Sequence, residues 1–348
     1  MDRGNVGNAK VAGLLKTINM TDVQYNTGVA SFFVLYILLE VPSQYFLKKI
    51  GPKYYLSGLL FGCGVVMASG AAIQSPIGFI MMRLALGATE SGLMPGFNAS
   101  IAKYYTRDEL SVRIAIFFAS ASISGAFSGL LAFGLAKLGG VAGLESWRWI
   151  WLLEGSFTAF VGVIAPFVFV DTPENAGSWL THEEKRYLVL RQRYGAGSGG
   201  VARSEAFTMN LLVDLAKNWQ TYPMILIYIS HSVLGYAISF SLPPLMKTLG
   251  YSNEKAYLIP VPIFLAACVL TILNSWWSDR RESRFLHIAG PFSLAIVGVA
   301  LTIPTAGQKD LVGLSILGLI CLTFAAYLAV PISISWMAAN TVEPHRSV

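Results

Sequence analysis

Apolar runs of about twenty residues, joined by short polar links, recur along most of the chain. Nine can be marked out: 25–47, 54–75, 78–102, 113–137, 148–170, 221–246, 255–277, 286–305 and 311–336. A helix needs roughly 20 apolar residues to cross roughly 30 Å of hydrocarbon, and each run meets that length. Within hydrocarbon a backbone must satisfy its own hydrogen bonds, which leaves helices or closed barrels. A barrel would show short alternating segments instead. The pattern therefore predicts an all-α membrane protein built as a helical bundle. One interval, 171–220, is too polar to cross, so the chain divides into an N-terminal membrane half (1–170), a linker (171–220) and a C-terminal membrane half (221–348). In the linker Thr181-His182-Glu183-Glu184 has the form of a capping box and predicts a short helix to about Arg193, with 195–200 as a flexible joint. Two readings of that helix stay open: one lying on the membrane with Tyr187, Leu188 and Leu190 inward, and a solvated spacer. Residues 1–23 are polar and glycine-rich, with too short an apolar run to span.

Composition agrees. Charged residues make up 13% of the chain and hydrophobic ones 54%, with a mean hydropathy of +0.57. Soluble domains carry about 25% charge. The net charge of +6 sits in short joints: Lys48, Lys49 and Lys53; Lys103, Arg107 and Arg113; Arg280, Arg281 and Arg284. If the spans alternate, all three clusters fall on one side, which is the cytoplasm, and the linker falls there too. Membrane orientation thus accounts for the basicity, and no nucleic-acid partner is expected. Cys63, Cys268 and Cys321 lie inside apolar runs and the four histidines are scattered, so no metal site is expected. Met1–Asn5 lacks the apolar core of a signal peptide, and Asn19-Met20-Thr21 is a formal sequon too near the next span to be used.

The chemistry concentrates in 78–105, GFIMMRLALGATESGLMPGFNASIAKYY. Arg83 and Glu90 are two helical turns apart on one face, roughly 8 Å and 18 Å into a span that begins at Gly78. Either ion facing lipid would cost at least about 2.5 kcal/mol, so both are expected to face protein or water. Gly87 and Gly92 thin the helix, and Pro95-Gly96 offers a bend. The helix reads as the wall of a solute pathway or, alternatively, as one side of a structural salt bridge. Other candidates carry the same two readings. His231, midway in the sixth span, lines a cavity or packs; Tyr236, Tyr327 and Trp336 stack on a flat ligand or anchor the helix. Glu40 and Glu154 are taken as near-terminal acids with structural roles. Ser120, Ser122, Ser124, Gly125, Ser128 and Gly129 form a small-residue stripe suited to close helix contact. The basic loops 48–55 (KKIGPKYY) and 278–285 (SDRRESRF) suggest an internal repeat.

Several stretches together carry a resemblance: DRGNVGNAKVAGL (2–14), FFVLYILLEVPSQYFLKKIGPKYY (32–55), RLALGATESGLMPG (83–96), YYTRDELSVR (104–113), WRWIWLLEGSFTAFVG (147–162), DTPENAGSWLTHEEKR (171–186) and SDRRESR (278–284). The chain resembles the major facilitator superfamily, and within it the fungal anion:cation symporter group of allantoate permeases and nicotinate and vitamin carriers. The resemblance implies a bundle of twelve spans; against the nine found, most of the first and the last two are expected to be missing. It implies a proton-coupled anion site at Asp2, Arg3, Arg83 and Glu90, to which His231 and Tyr327 are added as substrate-binding candidates. It also implies a conformational latch at Lys49, Gly51 and Lys53 and at Asp279 and Arg280. Lys48 and Pro52 depart from the superfamily's loop pattern, so this latch is expected to be asymmetric.

The expected function follows: secondary active transport, by alternating access, of a small organic anion or vitamin-like nutrient such as allantoate, nicotinate or a similar carboxylate. A buried guanidinium suits a carboxylate, and an acid near it can trade a proton. The chain is expected to be no enzyme and to need no cofactor, with the proton gradient as driving force. Its expected partners are the anion, protons and the lipid bilayer, and it is expected to work as a monomer in the plasma membrane. Two alternatives stay open, a channel and a non-transporting fragment of a carrier gene.

Overall fold

A computed structural model describes residues 5–102, 104–105, 107–169, 180–194, 217–219, 221–281, 283–305 and 311–340. Two short helices come first, α1 (Asn5–Val11) and α2 (Leu14–Thr17). Thr21 then opens α3 (Asp22–Ile50) with a capping box: its hydroxyl accepts from the Gln24 amide at 3.2 Å, and the Gln24 side chain accepts from the Thr21 amide at 3.0 Å. The helix stops at Gly51, whose φ of 91° is costly for any residue with a Cβ. Pro52 follows as the first residue of α4 (Pro52–Ser69), a place where its missing N–H costs nothing. The chain continues through α5 (Pro76–Glu90), α6 (Leu93–Ala102), α7 (Arg107–Ala136), α8 (Ser146–Val168), α9 (His182–Tyr194), α10 (Thr221–Thr248), α11 (Asn253–Leu258), α12 (Pro260–Arg281), α13 (Arg284–Thr305), α14 (Val312–Leu328) and α15 (Val330–Asn340).

The described residues contain no strand, and nine helical stretches are long and apolar enough to cross a membrane. Each falls on one of the nine runs read from the sequence. Three of the nine are interrupted: at Ser91–Gly92, at Ile259 and at Ala329. A proline's ring crowds the carbonyl four residues back and its missing N–H leaves that carbonyl without its helical donor. Pro95 stands four residues after Ser91, Pro262 four after Leu258, and Pro331 just beyond Ala329. The bend in the Arg83 helix therefore comes one turn earlier than Pro95-Gly96, immediately after Glu90.

Contacts group the chain into two units, Met1–Tyr104 with Phe127–Val189 and Tyr251–Leu258, and Tyr105–Ala126 with Leu190–Gly250 and Ile259–Val348. In the first unit α4 and α8 approach backbone to backbone. A Cβ on Gly64 would run into the Ala159 backbone, one on Gly155 into Ala68, and one on Gly162 into Phe61. Phe32, Phe79, Leu86, Met67, Trp147 and Trp151 form its core. In the second unit α13 lies on α14 through Gly298 and Gly318. There the Asn274 amide donates to the carbonyls of His287 and Leu328, both at 3.2 Å. Leu328 ends α14, so its carbonyl lies where the helix no longer uses it.

The linker helix α9 forms as the sequence predicts. The Glu184 carboxylate accepts from the Thr181 amide at 2.8 Å and from its hydroxyl at 2.9 Å, and Thr181 Oγ accepts from the Glu184 amide at 3.3 Å. Tyr187 and Leu190 are exposed and Leu188 is half-buried.

Candidate functional site

Arg83 is 0% exposed, the only arginine among the largest fully enclosed side chains of the described residues. Its guanidinium carbon stands 4.8 Å from the centroid of the Phe32 ring, a cation–π arrangement across α3 and α5. Phe32 in turn stacks on Tyr36 at 5.5 Å. The approach of α5 to α3 is allowed by Gly87, where a Cβ would collide with the Phe32 carbonyl. Gly92 and Gly96 face Ser43 and Leu56 in the same way, so the small residues read from the sequence do thin this helix. Glu90 is the last residue of α5, half-buried, with Oε2 out of reach of solvent. Seven residues at about 1.5 Å each place it roughly 10 Å along the axis from Arg83, at the interruption.

An aromatic ladder runs beside the arginine. Tyr25 stacks on Phe79 at 6.0 Å, Phe79 on Trp151 at 6.1 Å, and Trp151 meets Trp147 edge-on at 5.1 Å. The ladder joins α3, α5 and α8 and holds α1 as well, since the Tyr25 hydroxyl donates to the Val6 carbonyl at 3.2 Å. Lys10 lies 4.5 Å over the Tyr25 ring and 2.7 Å from Asp22.

The same unit holds a buried polar chain that sequence reading missed. Asn8 Nδ2 donates to Ser128 Oγ at 2.8 Å, Ser128 Oγ donates to Asn5 Oδ1 at 2.7 Å, and Asn5 Nδ2 donates to Glu154 Oε2. Glu154 is not near-terminal: it is the ninth residue of the 23-residue α8 and is 5% exposed. Its Oε2 accepts from the Asn5 amide of α1. Ser128, read as part of a packing stripe, is the link in the middle. The available signal was the pair of asparagines three residues apart in a short segment with no reason of its own to be polar.

The remaining candidates divide between the units. In the second, His231 is 2% exposed, with the Tyr228 ring edge-on at 5.1 Å. Tyr327 is half-buried, hydrogen-bonded to Ser239 at 3.3 Å and met edge-on by Phe264 at 5.9 Å. Phe264 lies against Gly125, which accounts for that member of the small-residue stripe. Asp2 and Arg3 lie outside the described residues, as does the side chain of Asp279. Lys49 is exposed; Lys53 Nζ sits 5.5 Å over the Tyr54 ring. Arg280 and Arg281 are exposed and stack on Trp276 and Trp277 at 5.0 and 4.9 Å. Among the described residues no group of three or more His, Cys, Asp or Glu is placed to hold a metal ion.

A buried cation beside an interrupted helix in an all-helical membrane bundle defines a membrane carrier architecture. Residues 1–348 match the Major Facilitator Superfamily, and the chain belongs to it. It is 34% identical to the MFS-type transporter cnsO of Penicillium expansum, over 99% of this chain and 68% of that protein. It is 29% identical to the high-affinity nicotinic acid transporter of Saccharomyces cerevisiae, over 98% of this chain and 62% of that one. The chain thus spans about two thirds of the length of the curated relatives it matches. Its fold is shared by the D-xylose-proton symporter, with a TM-score of 0.65 at 15% identity over 97% of this chain and 80% of that one. It is an integral membrane transporter of this superfamily and not an enzyme.

Proposed function

We propose that this transporter carries a small organic anion, a carboxylate such as nicotinate or allantoate, together with protons. Arg83 takes the carboxylate and Glu90 the proton. The observation that carries this reading is the complete enclosure of Arg83 by protein on the face that, two turns on, presents Glu90 at a helix interruption. Guanidinium donors match a carboxylate in a plane, and ionisable groups within spans mark substrate and proton paths. Helix interruptions at membrane depth are found where a substrate or coupling ion binds. The nicotinic acid transporter among the relatives supports a carboxylate cargo.

On this reading Asp2 and Arg3 complete the anion site, and His231 and Tyr327 line the substrate path. Proton loss from Glu90 restores its attraction to arginine and weakens the hold on the anion. Residues 1–170 and 221–348 act as the two moving halves of an alternating-access cycle. Lys49, Gly51 and Lys53, with Asp279 and Arg280, form the latch between conformations. The linker 171–220 lies in the cytoplasm, and the protein works as a monomer in the plasma membrane. The test is uptake of labelled nicotinate into vesicles containing this chain, with and without an imposed pH gradient. Saturable uptake that the gradient accelerates and other carboxylates inhibit is expected. Currents that do not saturate, or uptake blind to the gradient, would overturn the assignment.

A further inference from the structure

We propose that the end of α12 is a binding site for an anionic phospholipid, whose phosphate is held by Arg280 and Arg281 over the rings of Trp276 and Trp277. The exposed side of this helix is graded along its length. Leu265, Val269, Leu273, Trp277 and Arg281 follow one another at steps of four, with Ile272, Trp276 and Arg280 as the row beside them, and all of these residues are exposed. Residues four apart on a helix share a face. The longer row covers sixteen steps of about 1.5 Å, roughly 24 Å. Half a bilayer has about 15 Å of hydrocarbon beneath its headgroup layer. The row is therefore aliphatic at hydrocarbon depth, indole at the interface and guanidinium at the phosphate. A single phospholipid presents its layers in that order.

Net charge alone does not single out this place, since 278–284 holds three arginines and two acids. Its geometry does. Arg280 stands 5.0 Å from the centroid of the Trp276 ring, and Arg281 stands 4.9 Å from that of Trp277. An arginine already held over a ring has less rotamer freedom to lose when it takes a ligand. Both arginines are exposed, so their donors reach the surroundings. Another Arg–Trp pair, Arg148 over Trp147, is placed differently: Trp147 is enclosed, and Arg148 is bonded to Glu145 and to the Ala71 carbonyl. At the end of α3 the exposed Lys48 and Lys49 offer compact ammonium charges in place of planar donors. Phe285 and Leu286, in the first turn of α13, are exposed and add apolar surface for acyl chains.

Two ordinary roles account for part of the arrangement. Cations in a last turn offset the helix dipole, and interfacial aromatics anchor a span. Lysine fills the first role as well as arginine does, and neither role tells one headgroup from another. A phosphate site does both: it calls for paired planar donors, and it prefers a headgroup of net negative charge. The lipid site does not depend on the transport reading given above, although Arg280 also serves the latch in that reading.

The test is native mass spectrometry of the purified full chain in detergent, titrated with phosphatidylserine or with phosphatidylcholine of the same acyl chains. Both lipids carry a phosphate, but the choline cation cancels that charge and meets arginine unfavourably. Phosphatidylserine is expected to bind several-fold more tightly. That preference is expected to vanish when Arg280→Gln and Arg281→Gln are combined. It is expected to fall when Arg280→Lys and Arg281→Lys are combined, which keeps the charge and the helix end but not the planar donors. The pair Trp276→Leu and Trp277→Leu is expected to lower it as well, while the pair Lys48→Gln and Lys49→Gln leaves it in place. Equal binding of the two lipids would overturn the proposal, as would a preference unchanged in any of the arginine or tryptophan variants or one lost equally in the lysine variant. Displacement of the bound lipid by inorganic phosphate alone would overturn it too, since the site would then be one for the free ion.

Discussion

The Arg83 guanidinium lies 4.8 Å from the Phe32 ring centroid, joining α5 to α3 at a point where no side chain larger than hydrogen fits at Gly87. The cation is thereby packed against an aromatic face. A lysine keeps the charge and loses both the stacking and the paired donors. Arg83→Lys is expected to weaken anion binding by about tenfold or more. Binding by equilibrium dialysis of labelled nicotinate checks this, and an unchanged affinity would count against arginine as the ligand's partner.

Gly87→Ala places a methyl group against the Phe32 carbonyl. Overpacking of this kind costs about 1–3 kcal/mol. The variant is expected to melt several degrees lower in detergent, as read by thermal unfolding, and to bind anion less well because α5 and α3 separate beneath Arg83. Gly13→Ala serves as a control of a different type, since its φ of 102° gives strain without any close neighbour.

Pro95→Ala restores a donor for the Ser91 carbonyl and removes the ring that crowds it. A more continuous helix through Ser91–Gly92 is expected, with a higher melting temperature. Uptake is expected to fall several-fold, because Glu90 no longer sits at a helix interruption. An uptake rate equal to that of the unaltered chain would show that the interruption has no part in the cycle.

The linker helix offers a pH test outside the membrane-spanning segments. Hydrogen bonds from the Thr181 amide, and then from its hydroxyl, hold the Glu184 carboxyl below its ordinary value. A carboxyl lowered in the folded state stabilises above its unfolded pKa, roughly pH 4.3, and that contribution is lost as pH falls through the lower folded value. Hydrogen exchange in 182–194 is therefore expected to quicken on acidification beyond its intrinsic pH dependence. Glu184→Gln is expected to abolish this acid sensitivity.

The nine spans were legible because lipid demands length and apolarity, and both are properties of a run of residues. The turn at Gly51-Pro52 and the Thr181 capping box were legible for a similar reason: each is decided within a few residues. The interruptions were partly so. Pro95 was noticed, but its effect falls four residues upstream, on Ser91, where the carbonyl it displaces lies. The partners of Glu154 and Ser128 were not legible because a span that is apolar all round does not announce which side meets protein. Their significance depends on Asn5 and Asn8, more than a hundred residues away, and only packing joins them.

The central claim is that Glu90 carries the coupled proton while Arg83 holds the anion. It is tested most directly by comparing gradient-driven uptake with anion exchange in vesicles containing Glu90→Gln. The expected result is loss of acceleration by the pH gradient, with exchange of labelled for unlabelled anion retained. Gradient-driven uptake that persists at the rate of the unaltered chain would contradict it.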